Sequence, residues 1–145
     1  APDLDSLPAP HTPEQLAGLS GLVAYATSRG CAHRCAFCRW QPAGRRRLPV
    51  ERVERELGAL LANPAVRVIY LTDSELSLRS ERSRRLLRFI REHNVHQTRL
   101  LAFFDFLSAD AEGLALTREA GFLDPPSIGL QSAVSTTSSA RSGTS

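Results

Sequence analysis

Short apolar segments alternate with amphipathic segments along residues 21–131, and this alternation limits the possible folds more than any other feature. Apolar, β-branched and aromatic residues predict strands at 21–27, 66–71, 100–107 and 127–131. Apolar residues at spacings of three and four predict helices from Pro49 to Asn63, from Ser80 to about His93, and from Ser108 or Asp110 to Ala120. Strands that alternate with helices pair in parallel. The sequence therefore predicts an α/β fold with a parallel sheet and helices on its outside.

The length of the chain limits how much of a barrel it can form. A closed TIM-like barrel of eight βα-units takes about 250 residues, and roughly 110 residues are predicted to be structured here, so about half of a barrel is expected. Residues 1–20 hold four of the nine prolines and are predicted to form a lead-in or linker, with the half-barrel at 21–132. Residues 133–145 are almost entirely Ser, Thr, Ala and Gly, which predicts disorder. The absence of methionine suggests a fragment.

Composition excludes few classes of function. The net charge of +3 does not support a strong polyanion binder, so nucleic acid is unsupported as a partner. The sequence contains neither a long apolar segment nor a secretory signal pattern, which predicts no membrane insertion. The odd number of cysteines argues against a disulfide framework. A cytoplasmic location is therefore expected.

All three cysteines, Cys31, Cys35 and Cys38, lie within eight residues in the spacing C-x3-C-x2-C. Thiolates this close together are suited to binding a soft metal. Three ligands are one fewer than usual, and a 4Fe-4S cluster held by three cysteines keeps one iron open to another ligand. The alternative is a structural zinc site of Cys3His type that uses His33, His11 or a later histidine, in a binding module without redox chemistry.

Polar residues follow the predicted strands at the edge where parallel α/β folds place their working residues. They are Asp73, Ser74 and Glu75 after the second strand, Asp105 late in the third, and Gln131 after the fourth. We expect them to face a common ligand. The first three are equally typical of an ordinary turn, and Asp105 is as well suited to an ion pair with an arginine.

The segment Thr27 to Trp40, TSRGCAHRCAFCRW, resembles the signature of the radical S-adenosylmethionine enzymes, which place an aromatic residue directly before the last cysteine, as Phe37 is here. The segment is similar to the version found in cobalamin-dependent members. DLDSLPAP resembles the lead-in that follows their cobalamin-binding domain. The resemblance extends from about Asp3 to Ser132.

The resemblance implies a 4Fe-4S cluster on Cys31, Cys35 and Cys38, with S-adenosylmethionine on the open iron. Reductive cleavage to a 5′-deoxyadenosyl radical would follow, and cobalamin bound outside this chain would allow methyl transfer. The residues expected around S-adenosylmethionine are Phe37, Asp73, Ser74, Glu75, Asp105 and Gln131, although residues 73–75 lack the glycines of the family's Gly-Gly-Glu motif.

The resemblance also implies partners. They are a small-molecule or peptide substrate and an external electron donor such as flavodoxin or ferredoxin. A non-cobalamin enzyme such as a methylthiotransferase is the alternative within the family. Because half of the barrel that would shield the radical is missing, the fragment itself is not expected to be fully active.

Overall fold

The computed structural model describes residues 4–6, 8, 11–33, 38, 44–123 and 127–128. Its strands are β1 (Gly21–Tyr25), β2 (Ser28–Arg29), β3 (Arg46–Arg47), β4 (Val66–Leu71), β5 (Arg99–Leu101), β6 (Phe103–Phe104) and β7 (Ser127–Ile128). Its helices are α1 (Pro13–Gly18), α2 (Val50–Leu61), α3 (Glu81–His93) and α4 (Ala111–Glu119). Short 3-10 turns cover Leu4–Ser6 and Phe106–Ser108.

The main sheet has three parallel strands in the order β1-β4-β5. Val23 lies opposite Ile69, and Ile69 lies opposite Leu100, so these side chains share one face. Strands β6 and β7 form a second parallel pair, and the two-residue strands β2 and β3 form a short antiparallel ribbon. The predicted α/β fold with a parallel sheet and flanking helices, as in a partial βα-barrel, is confirmed.

Apolar side chains of the three long helices and of one sheet face form a single core. The fully buried members include Leu57, Leu60, Ile69, Ile90 and Leu100. The opposite sheet face is more open, since Leu22 of β1 is exposed there. None of the helices in the described part of the chain is both long and apolar enough to cross a membrane.

Side-chain caps start α3 and α4 at predicted positions, whereas α2 starts after Pro49 without a side-chain cap. Ser80 Oγ accepts a hydrogen bond from Ser83 N at 3.2 Å and starts α3. Of the two caps considered for α4, the structure uses Asp110, whose Oδ1 accepts from Gly113 N at 2.7 Å. Ser108 instead donates its hydroxyl to Asp105 O, in the turn after β6. The third predicted strand, 100–107, is divided into β5 and β6, which belong to different sheets, and it ends at Phe104.

The sequence analysis did not predict helix α1. Thr12 and Gln15 form a capping box, with each side chain bonded to the backbone N–H of the other residue. Asn63, two residues after the end of α2, binds the C-terminal end of α1. Its Nδ2 donates hydrogen bonds to Leu16 O and Leu19 O at 3.0 Å each. The assignment of residues 1–20 as a separate lead-in stays a prediction, and their described part is held against α2.

Tyr25 ends β1 and is hydrogen-bonded inside the protein. Its hydroxyl donates to Glu56 Oε2 at 2.7 Å, and Arg52 Nε donates to Glu56 Oε1 at 2.8 Å. Burial raises the pKa of the Tyr25 phenol, and the hydrogen bond to Glu56 and its negative charge raise that pKa further. The native state therefore keeps the phenol protonated in alkaline solution.

The free energy of unfolding is therefore expected to fall as the pH rises above about 10, where the tyrosine of the unfolded chain loses its proton. Above that pH the unfolded state binds fewer protons than the native state, so the slope is negative, up to about 1.4 kcal/mol per pH unit. Tyr25→Phe should remove this slope in urea titrations at alkaline pH. Tyr70→Phe, a change in a half-buried tyrosine of β4, should keep it. An unchanged slope in Tyr25→Phe would contradict the assignment.

Candidate active site at the carboxyl ends of the strands

Four of the predicted site residues follow the carboxyl ends of two strands. Asp73, Ser74 and Glu75 follow β4, and Asp105 follows β6. The three cysteines lie on the segment between β2 and β3, residues 30–45, which we call the cysteine segment. Of these cysteines, Cys31 and Cys38 belong to the described part of the chain. The remaining predicted site residues, Cys35, Phe37 and Gln131, lie outside the described residues.

The ribbon of β2 and β3 joins the two ends of the cysteine segment. Arg29 lies opposite Arg46, and Leu48 N donates to Thr27 O at 3.0 Å just beyond the ribbon. Gly30 has a φ of +86°, and a Cβ atom at this position would lie 2.2 Å from Gly44 O. This positive φ, which glycine adopts readily, lets the two ends of the segment approach closely.

Cys31 directly follows this close approach. It is half-buried, and its Sγ accepts a hydrogen bond from His33 N at 3.4 Å. Cys38 is exposed, and neither Cys31 nor Cys38 forms a disulfide. Both side chains are thus outside any disulfide and at least partly exposed, as the binding of a soft metal requires.

Asp73 is almost fully buried, with 2% of its surface exposed, and its carboxylate is bonded within the protein. Oδ2 accepts from Thr27 N at 3.0 Å, and Oδ1 accepts from Thr27 Oγ1 at 2.9 Å and from Ser28 Oγ at 2.5 Å. These bonds join the segment after β4 to the segment after β1. Contact between Asp73 and a ligand stays a prediction, and the observed bonds instead give the residue a positioning role.

Ser74 also holds the cysteine segment, because its hydroxyl donates to Gly30 O at 2.8 Å. Glu75 forms an ion pair with Arg45, and both side chains are nearly buried. Arg45 thus lies inside the protein, whereas the other two residues of the arginine run at 45–47 are exposed. Within the described part of the chain, the second carboxylate oxygen of Glu75, Oε2, is buried and accepts no hydrogen bond.

Glu75 and Asp105 are neighbours because their segments pair. Leu76 N donates to Phe103 O at 2.8 Å, and Asp105 N donates to Leu76 O at 3.0 Å. One nitrogen of the His33 ring and one oxygen of each carboxylate lie within 4.8 Å of one another. No arginine among the described residues pairs with Asp105, so the structure leaves two carboxylates and an imidazole close together beside the cysteine segment.

Sequence analysis missed three residues of this arrangement. His33 was considered only as a ligand of the alternative zinc site, and its exposed ring also lies near the two carboxylates. Arg45 compensates the charge of Glu75, and Thr27 donates twice to Asp73. The only signal in the sequence was the position of Thr27 and His33 beside the cysteines.

Comparison with known proteins identifies the family. The chain matches the model of the Radical SAM superfamily over residues 25–141, which is more than half of its length. No curated protein and no solved structure matches the chain. The superfamily implies a 4Fe-4S cluster and S-adenosylmethionine, in agreement with the cysteine spacing. The chain therefore belongs to the Radical SAM superfamily.

Proposed function

We propose that Cys31, Cys35 and Cys38 hold a 4Fe-4S cluster and that S-adenosylmethionine binds beside it. The spacing supplies three thiolates, and the ribbon of β2 and β3 brings the ends of their segment together. Two of the cysteines, Cys31 and Cys38, form no disulfide and are at least partly exposed. This donor set suits a cluster with one open iron.

The proposed binding of S-adenosylmethionine rests mainly on Glu75. Its Oε2 is a buried acceptor without a partner in the described part of the chain, and such an atom is costly unless a donor reaches it. Asp105 lies beside it, so the two carboxylates together favour a cationic donor. The amino group of the methionine moiety is such a donor, and it is the group that the family resemblance assigns to residues 73–75.

The other residues of the site have supporting roles in this proposal. Arg45 neutralises part of the charge on Glu75, while Ser74 and Asp73 fix the start of the cysteine segment. Contacts from Phe37 and Gln131 rest on the family resemblance alone. When bound, the cluster supplies the electron that cleaves the sulfonium of S-adenosylmethionine.

The finer proposal is a cobalamin-dependent methyl transfer to a small molecule or peptide. It is supported by the similarity of TSRGCAHRCAFCRW and DLDSLPAP to the cobalamin-dependent branch. Cobalamin would be held by a domain outside this chain, and the electron would come from a donor such as flavodoxin or ferredoxin in the cytoplasm. A methylthiotransferase that does not use cobalamin is the alternative within the family.

Anaerobic reconstitution with iron and sulfide tests the cluster. The expected result is a brown protein that absorbs at about 400 nm and contains four irons and four sulfides per chain. A colourless protein that retains one equivalent of zinc would overturn the proposal in favour of the zinc-stabilised binding module.

Glu75→Gln tests the site for S-adenosylmethionine in the reconstituted protein. Loss of a charge-assisted hydrogen bond should weaken binding about tenfold to a hundredfold in equilibrium dialysis. The iron content should be unchanged, because Glu75 is not a cluster ligand in this proposal. Glu81→Gln, a change in an exposed carboxylate at the start of α3, is the matched control and should bind as the wild type does. Equal affinity of Glu75→Gln and wild type would contradict the assignment.

A further inference from the structure

Two carboxylates and an imidazole face one another beside the cysteine segment without bonding directly. One nitrogen of the His33 ring and one oxygen each of Glu75 and Asp105 lie within 4.8 Å of one another. No hydrogen bond or ion pair joins any two of these three described side chains. Groups that lie this close without bonding to one another can share a partner placed between them.

Glu75 contributes an acceptor that the protein itself does not satisfy. Only 8% of this residue is exposed, and its Oε2 is buried and accepts no hydrogen bond in the described part of the chain. Its other oxygen, Oε1, pairs with Arg45 Nη2, which fixes the orientation of the carboxylate. A buried carboxylate oxygen without a partner is costly, so Oε2 calls for a cation or a hydrogen-bond donor.

Asp105 and His33 supply the other ligand atoms from separate segments. Asp105 is half-buried, and Leu107 N donates to its Oδ1 at 3.1 Å, which positions the carboxylate after β6. His33 is exposed, and none of the described residues bonds to its ring. Two carboxylate oxygens and one imidazole nitrogen, with an exposed side left for water, suit a divalent metal ion such as Mn²⁺ better than a thiophilic one.

The distances fit one small ion. Ligand atoms about 2.1 Å from a shared ion lie at most about 4.2 Å apart. The three atoms are within 4.8 Å of one another, so a movement of less than about 1 Å, which the exposed His33 ring can make, completes the set. Arg45 offsets one of the two carboxylate charges through Oε1 of Glu75, and the charge of Asp105 remains to attract a cation.

We propose that Glu75, Asp105 and His33 bind one divalent metal ion, for which Mn²⁺ is best suited, when S-adenosylmethionine is absent. The ion gives Glu75 Oε2 its partner and ties the cysteine segment, through His33, to the segments after β4 and β6. It requires neither the cluster nor a cysteine. The site overlaps the place proposed for the amino group of S-adenosylmethionine, so the two cations are expected to exclude each other; this last point alone rests on the proposed function.

Binding of Mn²⁺ to the full chain without cluster tests the site. Loss of the EPR signal of hydrated Mn²⁺ during a titration reports the bound ion, and one ion per chain is expected. Asp105→Asn and His33→Ala should each weaken binding at least about tenfold, because each removes one of three charged or imidazole ligands. Glu81→Gln, which changes an exposed carboxylate of α3, should bind as the wild type does. Equal affinity of the wild type and both site variants, or no binding by the wild type, would overturn the proposal.

Pulsed EPR of the bound Mn²⁺ gives a second readout that does not depend on the stability of a variant. A hyperfine coupling to one imidazole nitrogen is expected in the wild type and should be lost in His33→Ala, whose exposed side chain can be removed without disturbing the core. Bound Mn²⁺ that lacks this coupling in the wild type would be an adventitious ion only and would overturn the proposal.

Competition with S-adenosylmethionine separates this proposal from the proposed function. In the reconstituted protein, Mn²⁺ at about ten times its dissociation constant should weaken the binding of S-adenosylmethionine about tenfold. Binding of Mn²⁺ without this competition would support the metal site and contradict the placement of S-adenosylmethionine at Glu75. A protein that binds S-adenosylmethionine through Glu75 but no Mn²⁺ would overturn the metal site alone.

Discussion

Cys31→Ala is expected to abolish cluster binding, so that the reconstituted protein is colourless at about 400 nm. A cubane held by three thiolates keeps too few protein ligands when one of them is removed. Cys31 directly follows Gly30, where the backbone approaches Gly44 closely. The measurements are the absorbance spectrum and the iron and sulfide content per chain after anaerobic reconstitution.

His33→Ala is the matched control, because it changes a neighbour of Cys31 without removing a thiolate. It should keep the full iron and sulfide content. In a zinc site of Cys3His type that uses His33, the same change would remove a metal ligand and weaken zinc binding. A Cys31→Ala protein that still holds four irons would exclude Cys31 as a cluster ligand.

The parts of the fold that were predicted correctly are those with a local sequence signal. Strand β4 was located by its β-branched and aromatic residues, and helix α2 by apolar residues at spacings of three and four. Ser80 was found as a cap because a serine stands directly before an amphipathic segment. The capping box of Thr12 and Gln15 was also visible in the sequence, but the surrounding prolines favoured an extended lead-in and α1 was missed.

The parts of the site that were missed depend on contacts between distant residues. Thr27 and Asp73 are 46 residues apart, and Arg45 and Glu75 are 30 residues apart. Arg45 belongs to a run of three identical residues, so no local feature shows which of them enters the protein. The burial of Arg45 follows from the fold of the ribbon, which places it against the segment after β4.

The second large effect is expected when Asp73 is replaced, because its carboxylate accepts three buried hydrogen bonds. Asp73→Ala is expected to lower the free energy of unfolding by about 4 kcal/mol. The change leaves three buried donors, Thr27 N, Thr27 Oγ1 and Ser28 Oγ, without their acceptor. Each buried donor without a partner costs about 1–3 kcal/mol, and rotation of the two hydroxyls recovers part of the total. A loss of this size is a large fraction of the 5–15 kcal/mol typical of a native domain.

Urea unfolding of the protein without cluster measures this effect directly. Asp73→Asn keeps one acceptor oxygen and nearly the same volume, so its loss should be smaller than that of Asp73→Ala. Glu119→Ala, which removes an exposed carboxylate paired with Arg91, should leave the unfolding midpoint close to that of the wild type.

The two roles considered for Asp73 predict opposite results. If it positions the cysteine segment, Asp73→Ala loses stability before any cofactor is added, and the fraction that folds binds less iron because Thr27 and Ser28 precede the segment. If it contacts S-adenosylmethionine instead, stability and iron content stay near those of the wild type and only the affinity for S-adenosylmethionine falls. The buried bonds to Thr27 and Ser28 favour the first result, and a stability loss below about 1 kcal/mol would favour the second.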